Sequence, residues 1–114
     1  MHEVGLAQSV IDIVEKTARD NGATKVTAVT LSVGEIANVD MESFMQAIRI
    51  GIRGTVMDAA HIQVTRPEGT GWCMACGKTV PVHRIGEACP VCGTHQVTVT
   101  GGTDIRVADI EIED

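Results

Sequence analysis

Four cysteines stand in two pairs, Cys73-Met74-Ala75-Cys76-Gly77 and Cys89-Pro90-Val91-Cys92-Gly93, and the sequence holds no others. Each pair has the form C-x2-C-G, and twelve residues separate the pairs. Two intervening residues bring both sulfurs to one side of a tight knuckle, and the glycine lets the chain turn back so that backbone N–H groups point at the thiolates. Two facing knuckles make a tetrahedral S4 cage, which suits Zn(II) at Zn–S distances of about 2.3 Å. Four thiolates leave no position for a reacting water, so the expected site is structural. Metal binding worth roughly 10 kcal/mol or more would hold the segment together. Iron is the alternative ion for a soft S4 site, but an electron-transfer iron usually sits under bulky cover, and this segment offers only Trp72. A thioredoxin-type redox pair needs one C-x2-C at a helix start, not two facing pairs.

The second set of donors is Met1-His2-Glu3. A histidine at position 2 is ordinarily a solvated terminal residue. A free α-amine, one or two main-chain amides and the His2 imidazole can nevertheless converge on one ion in a nitrogen-rich, near-square-planar array, which Ni(II) and Cu(II) favour. Glu3 could add a carboxylate, an amide nitrogen or an acceptor that orients the imidazole.

The elements that must position these groups follow from hydropathy. From Gly5 to Asn21, Leu6, Val10, Ile13, Val14 and Ala18 recur at helical spacing, and Asn21-Gly22 supplies a left-handed stop. Lys25 to Val33 alternates as a strand with Val29, Leu31 and Val33 inward and Val26 out of phase. Gly34 breaks it. Asp40 is the expected N-cap of a second helix to about Arg53, with Met41, Phe44, Met45, Ile48 and Ile52 on one stripe. His61 to Arg66 reads as a strand, and Pro67, Gly69 and Gly71 as a boundary. Val97 to Thr100 and Thr103 to Ile112 read as strands around Gly101-Gly102, with the inward parity changing near Ala108-Asp109. The apolar last strand needs a sheet, which the cysteine segment is too small to supply. The expected architecture is therefore α+β: two helices on a three-stranded mixed sheet with an inserted four-cysteine zinc-ribbon module. Residues 1–70 plus 101–114 would form the α/β domain and 71–100 the ribbon domain.

Length and charge narrow the function. The chain has 114 residues, with 15 acidic against 9 basic side chains and a net charge of −6. That balance argues against phosphate binding, and near the cysteines only Arg66, Lys78 and Arg84 with Trp72 could touch nucleic acid. No apolar run approaches the roughly 20 residues of a membrane span, and the start lacks the basic and apolar regions of a secretory signal. The reading is cytoplasmic, with neither nucleic acid nor membrane as partner.

MHEVGLAQSVIDIVEK at the start, the strand and turn LSVGEIANV, the ribbon C-x2-C…C-P-x-C-G and the ending TDIRVADIEIE together resemble the HypA/HybF family of hydrogenase maturation nickel chaperones. The resemblance covers essentially the whole chain in one order. It implies a chaperone that binds Ni(II) weakly at the extreme N-terminus and helps deliver it to the [NiFe]-hydrogenase large subunit, with a partner GTPase. By position it makes His2 the nickel-binding histidine, assisted by the Met1 amine and the chain at Glu3. Cys73, Cys76, Cys89 and Cys92 become the zinc ligands, and the 1–70 plus 101–114 domain becomes the nickel-binding one. Some family members also serve urease maturation. No nucleophile–base constellation, phosphate loop or open catalytic metal site is visible, so the expected protein is not an enzyme. The competing expectation is a zinc-ribbon adaptor for protein or nucleic acid without metal transfer. His83 and His95 flank the cysteines and read first as solvated, with thiolate exchange or nickel contact as the alternative. His61, at the start of a strand, reads as structural or exposed, and Glu35 as a solvated turn residue with a partner contact as the alternative.

Overall fold

The computed structural model describes residues 2–113. Helix α1 (His2–Asp20) begins earlier than hydropathy alone indicates, with Glu3 as an acid in its first turn, where negative charge complements the helix N-terminus. Its buried stripe is Glu3, Ala7, Val10, Ile11, Val14 and Ala18. Ile13, expected on that stripe, is 52% exposed, and Ile11 takes the inward place. The 3-and-4 spacing 7-10-11-14-18 fixes the face, and Ile13 falls beyond its edge. Gly22, at φ +66°, ends the helix. The Gly22 and Ala23 N–H groups return to the Arg19 and Ala18 carbonyls, closing a Schellman cap.

Helix α2 (Met41–Gly51) is capped as expected: the Asp40 side chain accepts the Ser43 N–H. Phe44 and Ile48 are its buried anchors. It packs against α1, and Gly51 permits the approach, since a Cβ there would meet Ile11 Cδ1 at 2.5 Å.

Strands β1 (Lys25–Val33), β2 (His61–Thr65) and β6 (Ile105–Glu113) form one sheet in the order β2-β1-β6. Val26 is buried together with Val29 and Leu31, and its N–H donates to the Val56 carbonyl. The residues expected to be a plain boundary contain a strand. β3 (Thr70–Cys73) lies between β4 (Lys78–Pro81) and β5 (Val97–Gly101), antiparallel to both. The cysteine segment thus carries a three-stranded sheet of its own. Gly71 belongs inside that sheet because a Cβ would meet Val97 and Val82 side chains at 2.6 and 2.8 Å.

The chain divides into two compact units. The first takes in residues up to Leu31, Val39–Val64 and residues from Arg106 on; the second takes in Ser32–Asn38 and Thr65–Ile105. Three glycine backbones meet in the second unit. A Cβ on Gly34 would strike the Gly102 carbonyl, and one on Gly102, itself at φ +84°, would lie 2.5 Å from Gly69 Cα. Only glycines allow this crossing, which brings the 34–38 turn against the stretch leading into β3.

Candidate metal centres

The second unit supplies the four thiols. Cys73 ends β3, Cys76 follows in the turn to β4, and Cys89 and Cys92 lie in the loop before β5. Each knuckle is closed by its glycine: Gly77 and Gly93 have φ of +66° and +78°, and their N–H groups donate to the Cys73 and Cys89 carbonyls. The Cys76 and Val91 N–H groups each lie 3.4 Å from the Cys73 and Cys89 sulfurs. Across the cage, Cys73 Sγ and Cys92 Sγ are 3.6 Å apart, and Cys76 Sγ and Cys89 Sγ 3.9 Å. All four sulfurs fall within 4.8 Å of one another. An ion about 2.3 Å from four tetrahedral sulfurs needs them about 3.8 Å apart, so the donor set fits.

Electrostatics identify the same site. The Cys92 thiol is held down at about 6, first by the Thr94 hydroxyl 3.2 Å away. The Cys76 N–H lowers Cys73, whereas Cys76 is pushed up to about 12 by its hydrogen bond with Cys92 and by burial. Cys73 and Cys92 therefore ionise more readily than a free thiol, whereas Cys76 needs a nearby cation to do so. Cys73 and Cys89 are buried with Val80, and Val97 packs against them, so the cage also forms the small core of the ribbon.

The first unit carries the other donors. His2 and Glu3 occupy the first turn of α1, where backbone N–H groups have no intrahelical acceptor. Glu3 is buried although charged. Its Oε2 accepts the Asp40 N–H at 3.2 Å and lies 3.3 Å from His2 Nδ1. The Asp40 N–H, followed by Glu3's own N–H, holds the carboxyl below its usual range. The His2 side chain is 56% exposed beside it. The Met1 amine lies outside the described residues. Structure therefore brings His2 and Glu3 together, and joins them to the start of α2, a partner 37 residues away that no sequence spacing signals.

Two polar residues have roles that sequence reasoning missed. Arg66, counted as available for nucleic acid, donates to the Val33, Gly34 and Glu35 carbonyls at 2.7, 3.1 and 3.3 Å. Glu35, expected as a solvated turn residue, accepts the Gly69 N–H and meets His83 Nδ1, both at 2.8 Å. His61 and His95 are exposed. No helix among the described residues is long and apolar enough to cross a membrane.

Comparison with known proteins gives the site its context. Residues 1–112 match the family described as hydrogenase/urease nickel incorporation, metallochaperone, hypA. The chain is 41% identical over all 114 residues to the hydrogenase maturation factor HypA of Azoarcus sp. strain BH72, covering 100% of each chain. It is 43% identical over 112 residues to that of Rhizobium leguminosarum bv. viciae, covering 98% of this chain and 99% of the relative. In fold it is similar to the solution structure of the Ni metallochaperone HypA from Helicobacter pylori, with a TM-score of 0.68, 22% identity and 96% of each chain covered. A second HypA solution structure gives a TM-score of 0.72 at 24% identity, covering 99% of this chain and 97% of the other.

Proposed function

We propose that this chain, which belongs to the HypA family of hydrogenase/urease nickel-incorporation metallochaperones, carries Ni(II) on its N-terminus and delivers it to the large subunit of a [NiFe]-hydrogenase during maturation. The observation that carries the residue-level reading is the pairing of an exposed His2 imidazole with the buried, ionised Glu3 carboxylate on the first turn of α1. Nδ1 is the ring nitrogen that can close a chelate with the His2 amide and the Met1 amine, and it is the one beside Glu3. A cation entering there would take Nδ1 as a ligand, with the Glu3 carboxylate 3.3 Å from that nitrogen to balance its charge.

The location also suits release. A helix N-terminus carries roughly half a positive charge, which opposes a dication. The ionised Glu3 carboxylate more than offsets that half charge, so ease of release rests on the few, solvent-facing donors. Donors at a chain end can then let go without unfolding anything, and their need to be deprotonated makes nickel affinity fall with acidification.

Cys73, Cys76, Cys89 and Cys92 hold Zn(II) in this reading. The ion supplies charge neutralisation and a cross-link, with no open position for chemistry. The chain is then a non-enzymatic cytoplasmic carrier: a maturation GTPase supplies any nucleotide hydrolysis, and urease maturation factors are a second destination. A zinc-ribbon adaptor without metal transfer would be indifferent to His2, which separates the two readings. Ni(II) titration of protein with its natural N-terminus should show affinity falling roughly 10-fold or more in His2→Ala and in a variant whose Met1 amine is blocked by an extension. Zinc should stay near one per chain in both. Unchanged nickel affinity in both variants would refute the N-terminal site.

A further inference from the structure

Away from both metal centres, one carboxylate ties together three separate stretches of the second unit. Glu35 stands in the turn after β1, and its Oε1 accepts the Gly69 N–H just ahead of β3. Its Oε2 meets His83 Nδ1 in the loop after β4. Around these contacts the Val82 N–H donates to the Gly69 carbonyl at 2.8 Å, and the His83 N–H donates to the Glu87 carboxylate at 2.6 Å. The Glu87 N–H returns to the Arg84 carbonyl, and Gly86 takes φ +89° to make the turn. The loop is therefore folded on itself and anchored at its base. A few residues beyond His83 comes Cys89, the buried member of the second knuckle.

We infer that Glu35 is a positioning residue for the second knuckle: through the His83 imidazole it anchors the loop that delivers Cys89 to the cage. The inference deepens the reading that the four cysteines hold a metal, and rests on it. Glu35 touches no metal ligand itself. It acts on where the loop begins, and so on how often the second knuckle opens.

The charges around the pair give the anchor a pH window. His83 faces Glu35 from the β1 turn, Glu68 from the stretch before β3 and Glu87 from its own loop, while Arg66 lies beside Glu35. The Glu35 hydrogen bond, then its charge, raises His83 above its usual value. The Gly69 N–H, then His83, lowers Glu35. A raised histidine contributes most while it is protonated, and its contribution is lost as pH rises through its folded pKa. A lowered carboxylate contributes above its unfolded pKa and loses its effect as pH falls through the folded one. The anchor is therefore strongest between the lowered carboxylate pKa and the raised imidazole pKa. A half-exposed ion pair adds little to global stability, so its effect should be read locally.

The test combines an NMR pH titration of His83 in the zinc-loaded full chain with the rate at which a chelator removes zinc. Glu35→Gln keeps an acceptor for the Gly69 N–H but removes the charge. It should return the His83 pKa toward 6.5 and speed zinc release about 2–5-fold near pH 6. The ratio to wild type should shrink at pH values where the wild-type imidazole is neutral. His83→Gln should accelerate release equally, and the double variant should add nothing further. An unshifted His83 pKa in Glu35→Gln, or wild-type release at every pH, would overturn the inference. If Glu35→Gln does not fold, His83→Gln at its exposed position decides, and wild-type release there overturns it. Wild-type protein with no zinc would refute the cage reading and this inference with it.

Discussion

The cage and the N-terminal turn hold their donors by different means. In the cage, four side chains from two knuckles face inward, two of them are buried, and each knuckle is locked by a left-handed glycine. Every donor is a thiol, and any bound ion completes the core of the ribbon. At the N-terminus the organising group is a single buried carboxylate, and the imidazole beside it stands mostly in solvent. Closed, soft and core-forming donors make a site whose ion is part of the fold. Open, nitrogen-rich donors on a helix end make one whose ion can leave. A carrier of the proposed kind, which keeps one metal while passing on another, needs both, and the two donor sets lie in separate compact units.

That contrast can be broken from the cage side. Cys73→Ser replaces a buried thiol of the cage that also ends β3 and accepts the Cys76 N–H, and if the cage holds zinc it should forfeit most of the roughly 10 kcal/mol or more of metal binding energy. The expected result is loss of bound zinc and of amide protection in β3–β5, with the α1–α2 packing retained. Zinc retained at one per chain would contradict the structural role of the cage.

The first unit should respond in the ordinary way of a packed α/β fold. Asp40→Ala removes the α2 cap while leaving the backbone N–H that Glu3 accepts, and should cost about 1 kcal/mol. Chemical denaturation followed at α1 and α2 measures this, with zinc content unaffected. Zinc lost on decapping α2 would show that the two units depend on each other in a way the contrast denies.

How much of this was legible in sequence depended on the distance over which each feature is determined. The knuckles, the Asn21-Gly22 stop and the Asp40 cap are set by residues within a few positions of one another, and each stands where its local chemistry indicates. The helical stripe of α1 was legible as a period but misplaced at one residue. Ile11 and Ile13 are equally apolar, and it is Ile11 that shares the buried face with Ala7, Val10, Val14 and Ala18 and lies against Gly51 of α2. β3 was hidden because Gly69 and Gly71 look like breakers when read singly, whereas both are buried where another chain segment crosses too closely for a Cβ. Glu35 looked like a turn residue because its partners lie 34 and 48 positions away. Arg66 looked like a spare cation for the same reason, since its acceptors are carbonyls more than 30 residues earlier.

The central claim is that two metals occupy two chemically distinct sites on one chain. The direct measurement is metal analysis of a single natural-N-terminus sample before and after saturation with Ni(II). One zinc per chain is expected at the start, nickel taken up in addition, and the same zinc content at the end. Nickel entering only as zinc leaves would place both ions in the thiolate cage and contradict the claim.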